Sequence, residues 1–338
     1  MPNICRPRLS DLLDVVRPTR PVASVYLGPT SACPWQRRWI QLADQLCSDG
    51  ASQDVVDTIG AALRSALSAD SAQGSLVGFA GVEQPPQVFS TPGLRHLDLA
   101  WFSAPAHVLP LLAWAQERPP CVVVAAGHDD AELVVGSARR VHLRYPGQAW
   151  REGIRSAAAA SAALLEMEEA RLLVVAAEDA VVGALWESLP EPVRRDVTVR
   201  WVGTDLSSSR VEAEVRAAAQ SWTEDVLADF NERGRSRRLG VEGVDDTLAA
   251  LAGGRIDDLF VGHPEDVTAT AWYGLEPTDV APGRVAGARR RCGLLVDVAV
   301  RAALLSGARV HVINPGARGA PEAGIGGLCR VPLTLVRS

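Results

Sequence analysis

One segment of the chain combines side chains that can contact nucleic acid, and it runs from Arg144 to Arg151. It joins a predicted strand to a long predicted helix, and its tryptophan is expected to be exposed. Arginines can contact phosphates, a tryptophan can stack on a base, and a glutamine amide can hydrogen-bond. The alternative interpretation is a Pro-Gly turn that only caps the helix. The residues assigned to this loop are Arg144, Tyr145, Pro146, Gly147, Gln148, Trp150 and Arg151.

Two further clusters of arginine lie just before and within the last hundred residues. All 34 basic residues are arginines, so Schiff-base catalysis and the Walker lysine of P-loop enzymes are excluded. The net charge of −6 argues against a protein that coats nucleic acid non-specifically, but local patches are compatible with it. The clusters indicate either a side that faces RNA or a solvated surface. The RNA-binding candidates are Arg233, Arg235, Arg237, Arg238, Arg289, Arg290 and Arg291.

Other chemistries find no support in the residues. The six histidines stand apart from one another and from the cysteines, and His128-Asp129-Asp130 reads better as a hairpin turn than as metal ligands. A carboxylate nuclease would need an acid on the predicted strand Cys121 to Ala126, which has none. Gly324, Gly326 and Gly327 precede a predicted strand, so we interpret them as positions of positive φ and not as a phosphate loop. We expect no metal, no cofactor and no catalytic residue.

Size and composition indicate a protein with a substantial core. The chain has 338 residues, enough for two or three domains, with 47% hydrophobic and 22% charged residues. No apolar run reaches the length of a membrane helix, and the N-terminus lacks the apolar core of a signal peptide. The six cysteines are scattered without a Cys-x-x-Cys pair and are expected to be reduced. These features predict a cytoplasmic protein.

Hydrophobic periodicity predicts an α/β domain of mixed strand order before the candidate loop. A strand over Val22 to Leu27 is followed by helices over Trp35 to Leu46 and Ser52 to Leu67. Two strands then span about 74–80 and 87–90, and Arg118-Pro119-Pro120 ends this part of the chain.

The loop itself lies in a middle domain that is predicted to resemble ribonuclease H. Three strands form a meander, after which helices and strands alternate. The predicted strands are Cys121 to Ala126, 131–136, 137–143, 171–176 and 197–202, and the predicted helices are Arg151 to Met167, 179–188 and 209–233.

The hydrophobic pattern of the last hundred residues predicts an αβα sandwich that is suited to binding a partner. Its predicted elements are a helix over Val244 to Ala252, a strand over Ile256 to Gly262, a helix over Cys292 to Ser306, a strand over Arg309 to Ile313 and a final strand over Leu328 to Val331. The predicted domains are therefore 1–117, 118–236 and 237–338.

Four short motifs carry a resemblance to a known family. They are Pro21 to Tyr26, Arg118-Pro119-Pro120 with the hairpin that follows, Gly254 to Gly262, and Gly324 to Arg330. The chain resembles, over its full length, the archaeal and eukaryotic release-factor superfamily, which includes the stop-codon release factor, Pelota and the Balon-type ribosome-hibernation factors with their mycobacterial relatives. The resemblance implies a first domain directed at the decoding site and a third domain like that of the release factor and Pelota.

The resemblance also gives the candidate loop a role. In the family, this loop enters the peptidyl transferase centre, and true release factors carry Gly-Gly-Gln there to position water. Here the sequence is Pro146-Gly147-Gln148, and the proline fixes φ and removes a hydrogen-bond donor. The resemblance therefore implies a hibernation factor, which occupies the A site and the peptidyl transferase centre under stress without hydrolysis.

Two other functions stay open. One is a release or rescue factor that hydrolyses peptidyl-tRNA with Gln148, and the other is a protein-binding adaptor with no ribosome contact. The resemblance implies the ribosome and its RNA as partners, together with elongation factor Tu, and implies neither DNA nor a membrane.

Overall fold

The computed structural model of the protein divides into two compact units. The discontinuous unit consists of Met1–Trp114 together with Val226–Ser338, and the inserted unit is Ala115–Asp225. No helix of the described residues is both long enough and apolar enough to cross a membrane. The structure describes residues 8–29, 34–69, 75–82, 84–94, 98–127, 130–135, 139–144, 150–204, 207–236, 238–262, 269–283, 291–314, 316–321 and 324–331.

The N-terminal segment of the discontinuous unit is built on a four-stranded sheet in the order β3-β2-β1-β4. All its neighbouring strands pair antiparallel. The sequence predicted a mixed strand order. The difference arises because short connections, such as that between β2 and β3, favour antiparallel neighbours. Helices α1 and α4 and strand β4 were not predicted. The elements are α1 (Leu9–Val16), β1 (Val22–Leu27), α2 (Trp35–Ser48), α3 (Gln53–Ala69), β2 (Leu76–Gly81), β3 (Gln84–Ser90), β4 (Leu99–Ser103) and α4 (Leu109–Glu117).

The inserted unit is a five-stranded sheet in the order β7-β6-β5-β8-β9. The predicted meander is confirmed, since β5, β6 and β7 pair antiparallel, and β8 and β9 continue parallel to β5. Helices α5 and α6 share one apolar core with the sheet, and α8 packs on other residues of β5 and β8. The elements are β5 (Cys121–Ala126), β6 (Asp130–Val135), β7 (Arg139–Arg144), α5 (Trp150–Met167), β8 (Leu172–Ala176), α6 (Asp179–Ser188), α7 (Glu191–Asp196), β9 (Thr198–Trp201) and α8 (Ser208–Ser236). From Val226 onward, α8 belongs to the discontinuous unit, where Leu227 and Phe230 pack with Phe260.

The C-terminal segment of the discontinuous unit contains two sheets, in the orders β10-β16-β11-β15 and β13-β12-β14. Helix α10 is buried on all sides, because every residue from Leu295 to Leu304 is buried. The elements are β10 (Gly240–Glu242), α9 (Val244–Ala252), β11 (Ile256–Gly262), β12 (Thr270–Tyr273), β13 (Val280–Ala281), β14 (Arg291–Leu294), α10 (Leu295–Leu305), β15 (Arg309–Ile313) and β16 (Ile325–Cys329).

Two predictions for this segment are wrong in detail. The chain from Arg291 to Leu294 is a strand that pairs antiparallel with β12, so the helix predicted from Cys292 begins only at Leu295. The final strand begins at Ile325 and not at Leu328, with Gly326 inside it. In both places, pairing with a distant strand overrides the local pattern.

The glycines of the last strand have a different role from the predicted one. Gly324 has a φ of +70°, as expected, but Gly326 and Gly327 are extended residues of β16. A Cβ on Gly326 would lie 2.8 Å from the carbonyl oxygen of Val241, and one on Gly327 would lie 2.6 Å from Cδ1 of Ile256. These two glycines therefore allow neighbouring chain segments to approach closely.

Candidate functional site

The candidate loop connects strand β7 to helix α5 of the inserted unit. Arg144 is the last residue of β7 and is exposed, and Trp150 is the first residue of α5. The loop residues Tyr145, Pro146, Gly147 and Gln148 lie outside the described residues. The structure thus places the two ends of the loop on an edge strand and on the N-terminus of a long helix.

The tryptophan of this segment is not the exposed residue that the sequence predicted. Trp150 is half-buried and packs against the core that α5 shares with the sheet. Its outer neighbour Arg151 is exposed, with Cζ 5.5 Å from the centroid of the indole ring, a cation–π distance. Trp150 therefore anchors the start of the helix, which leaves Arg144 and Arg151 as the exposed charged side chains at the two ends of the loop.

A cavity of about 340 Å³ opens at the same edge of the sheet. It lies at the carboxyl ends of the parallel strands β5 and β8, where α/β sheets commonly bind ligands. Asp130, at the start of β6, lines the cavity and is the register partner of Arg144. The base of the candidate loop and the cavity are therefore neighbours within one unit.

The polar lining of this cavity was missed by the sequence reasoning. It includes Asp130, Glu132, His142 and Glu178, and Nε2 of His142 lies 3.7 Å from Oδ2 of Asp130. These residues come from two neighbouring strands and from the turn after β8, so strand alternation and position at the carboxyl edge were the only available signals. Among the described residues, no group of three or more His, Cys, Asp or Glu has the arrangement to hold a metal ion.

The arginine clusters are only partly within the described residues. Arg237, Arg289 and Arg290 lie outside them, and Arg235 is in the last turn of α8. Arg238 is exposed and has a φ of +53°.

Two of the arginine candidates form hydrogen bonds with other residues of the chain at the surface. The guanidinium of Arg233 donates to Asp229 at 2.8 Å, one turn earlier on α8. Nη1 of Arg291 donates to the carbonyl oxygen of Thr19 at 2.6 Å. These contacts lower the number of arginines that are available to phosphates without reorganisation.

A charged cluster on the C-terminal sheet was also not predicted. Oδ2 of the buried Asp258 accepts a hydrogen bond from Arg309 at 2.7 Å, and Oδ1 lies 2.8 Å from Nε2 of His311. Burial alone would raise the pKa of Asp258, but its hydrogen bonds with His311 and Arg309 outweigh burial and lower it. The ring of His311 stacks on Phe260 with 5.2 Å between centroids, which ties the cluster to the core.

A second buried cluster joins the two segments of the discontinuous unit. Nδ1 of His107 lies 2.9 Å from Oδ1 of Asp297, and both residues are almost fully buried. Burial raises the pKa of Asp297, and the hydrogen bond and charge of His107 oppose that shift. Because the partners are 190 residues apart, no spacing in the sequence indicates this pair.

The comparisons with known proteins give structural likenesses only. The chain matches no protein-family model and no curated protein. Among solved structures, it is similar to Dom34 of S. cerevisiae, described as a translation termination-like factor, with 7% identity, 99% of this chain and 96% of that chain covered, and a TM-score of 0.46. It is similar to archaeal Pelota in a ribosome-bound complex with ABCE1, at 13% identity, 98% and 96% coverage and a TM-score of 0.44. The archaeal translation termination factor aRF1 matches at 15% identity, 95% and 97% coverage and a TM-score of 0.25.

Proposed function

We propose that this protein is a cytoplasmic translation factor of the release-factor and Pelota class that occupies the A site of idle ribosomes without hydrolysing peptidyl-tRNA. The observation that carries the proposal is the loop between β7 and α5, which contains Pro146-Gly147-Gln148 and has exposed arginines at both ends. The two exposed arginines can contact ribosomal RNA through its phosphates, and a glutamine amide is able to hydrogen-bond to RNA.

The proline distinguishes occupation from catalysis. Pro146 stands where a release factor would carry a glycine, and a proline has neither the backbone freedom nor the N–H group of glycine. A loop restricted in this way fills space and makes contacts but does not position water against an ester.

Sedimentation tests ribosome binding directly. Lysate from starved cells is separated on sucrose gradients at moderate salt, and we expect the protein in the ribosomal fractions. Its absence there at moderate salt, together with failure of purified protein to bind purified ribosomes, would reject the proposal. We propose elongation factor Tu as a further partner, to be sought in the same fractions.

The salt dependence of binding tests the proposed RNA contacts. Each phosphate contact contributes about 0.7 to 0.9 to the slope of log K against log salt. Replacing Arg235, Arg237 and Arg238 with glutamine should therefore reduce the magnitude of the slope by about 2 to 3 if all three arginines contact phosphates. Arg195→Gln is a matched control, since Arg195 is exposed and already paired with Asp196.

The second candidate function is peptidyl-tRNA hydrolysis, which the retained Gly147-Gln148 pair favours. Reconstituted release assays separate the two functions. We expect no release above buffer by the unmodified protein, whereas release that disappears in Gln148→Ala would establish the enzyme.

The third candidate is an adaptor that binds another protein and no ribosome. This function is favoured by the hydrogen bonds of Arg233 with Asp229 and of Arg291 with Thr19, because both arginines are RNA-binding candidates that already have partners within the chain. Ribosome binding that does not change on neutralising Arg235, Arg237 and Arg238 would count for this function.

A further inference from the structure

The central strand β1 of the N-terminal sheet is buried on both faces, although α2 and α3 pack on only one of them. All six residues of β1 are buried although neighbouring residues point to opposite faces. Ala23, Val25 and Leu27 pack in the core formed with α2 and α3. Ser24 and Tyr26 point the other way and are also fully buried.

Polar contacts connect this second face to α10 of the C-terminal segment. The hydroxyl of Tyr26 donates to the carbonyl oxygen of His107 at 2.7 Å, and the amide of His107 donates to Oγ of Ser24 at 3.1 Å. The ring of His107 lies 4.4 Å from that of Trp101 on β4, centroid to centroid, and contacts Asp297 on α10. A chain of buried contacts therefore runs from β1 to α10.

Arg301, one turn after Asp297, makes a second connection. It is almost fully buried and donates to the carbonyl oxygens of Val16 at 3.1 Å and Arg17 at 3.3 Å, at the end of α1. It also donates to the carbonyl oxygen of Leu275 at 3.0 Å. One guanidinium thus joins the last turn of α1 to two parts of the C-terminal segment.

A close backbone approach makes a third connection. A Cβ on Gly293 of β14 would lie 2.6 Å from the carbonyl oxygen of Ala104, so the two segments meet there without room for a side chain. Helix α10 also packs on its own strands β11 and β15. The helix is therefore covered by both segments, and separating them would expose Asp297 and Arg301 together with apolar surface.

The inserted unit has its own cores and adjacent ends. Every member of its two apolar clusters lies between Cys121 and Trp222. Nε2 of Gln116 donates to Oγ1 of Thr223 at 3.2 Å, so the chain enters and leaves this unit at neighbouring points. An insertion with adjacent ends can open or unfold without pulling the rest of the chain apart.

We propose that the N-terminal and C-terminal segments form one cooperative folding body, joined through α10, and that the inserted unit is energetically separate from it. The C-terminal segment is then not an autonomous partner-binding domain. Anything that stabilises the C-terminal segment, including a bound partner, stabilises the N-terminal segment equally. The inference concerns the folded chain and does not depend on the proposed function.

Native-state hydrogen exchange on the full-length chain tests the inference, because a core substitution speeds exchange throughout its own cooperative unit. Leu63→Ala removes a fully buried side chain from α3, in the N-terminal core. A Leu→Ala change of at least about 2 kcal/mol corresponds to a factor of about 30 or more in exchange. We expect the slowest amides of β1 and β11 to speed up by the same factor.

The matched control is Leu173→Ala, which removes a fully buried side chain from the core of the inserted unit. It should speed the slowest amides of β5 and β8 and leave those of β1 and β11 unchanged. The reciprocal variant Leu248→Ala, on α9 of the C-terminal segment, should speed β1 as much as β11. If Leu63→Ala does not fold, Ile59→Val in the same core gives a smaller factor with the same pattern.

Either of two results would overturn the inference. If Leu63→Ala speeds β1 and leaves β11 unchanged, the two segments unfold independently. If Leu173→Ala speeds β1 and β11 as strongly as β5, the inserted unit is not energetically separate.

Discussion

Replacing the buried Arg301 with methionine is expected to destabilise the discontinuous unit strongly. Methionine keeps an unbranched apolar stem but has no donor, so three carbonyl oxygens lose their partner. The bond to Val16 is buried, and an orphaned buried acceptor costs about 1 to 3 kcal/mol. The bonds to Arg17 and Leu275 are partly buried, so water replaces them at about 0.5 to 1 kcal/mol each.

The net effect is smaller than the sum of these losses. Burial lowers the pKa of Arg301, which shows that the folded protein bears a cost for the charge, and methionine removes that cost. We expect the free energy of unfolding to fall by about 2 to 4 kcal/mol. For a unit of this size, each kcal/mol lowers the melting temperature by about 2 to 4 °C.

Urea unfolding of the full-length protein, followed by circular dichroism and by Trp fluorescence, measures the change. Arg195→Met is the matched control, because Arg195 is exposed and its pairing with Asp196 lies on the surface, so no measurable change in the free energy of unfolding is expected. Arg301→Lys should lie between the two, since lysine keeps the charge but not the planar fork. A loss below about 0.5 kcal/mol for Arg301→Met would refute the argument that this guanidinium holds α1 to α10.

Three other predictions concern substitutions of single residues. The pKa of Asp258 is lowered in the folded protein, so its contribution to stability is present above the unfolded pKa of about 3.9 and is lost as pH falls through the folded pKa. Asp258→Asn should therefore lower the free energy of unfolding at pH 7 and lower it much less in strong acid. An equal loss at both pH values, measured by urea unfolding, would contradict the stabilising role of the ionised Asp258. Gly326→Ala should lower the free energy of unfolding by about 1 to 3 kcal/mol, because the new Cβ meets the carbonyl oxygen of Val241. Gly183→Ala is the control, since Gly183 lies in a helix with no atom within 4 Å of the new Cβ, and it should raise the free energy of unfolding by up to about 1 kcal/mol. Pro146→Gly restores a Gly-Gly-Gln loop, and it should raise release in a reconstituted assay if the proline is the reason for inactivity; no gain would leave the proline without that role.

Much of the local structure could be predicted because its signals are local. The strands over Val22–Leu27, Ile256–Gly262 and Arg309–Ile313 are short apolar runs bounded by turn residues, and the structure has them at the predicted bounds. The helix Val244–Ala252 ends at Gly253, as its sequence indicates. The three-stranded meander follows from alternating residues and glycine-rich turns.

Other features could not be predicted, because they depend on which distant segments meet. The sequence predicted a helix from Cys292 to Ser306, but pairing with β12 makes the stretch up to Leu294 part of a strand. The arginines around Trp150 favour an exposed residue that stacks on a base, and only the packing of α5 on its sheet shows that Trp150 is half-buried. Gly326 allows close contact with Val241, and nothing in its own neighbourhood distinguishes that role from a turn.

The sequence by itself determined the α/β character of the chain, most of its strands and helices, the absence of lysine chemistry and the composition of the loop around Gly147 and Gln148. Those properties depend on residue type and on spacings of a few residues. Only the tertiary structure decided that His107 meets Asp297, that Arg301 reaches the end of α1, and that acidic residues, including the strand partner of Arg144, line a cavity. The physical reason is that burial and hydrogen bonding between residues far apart in the chain depend on the packing of whole elements, which local propensities do not specify.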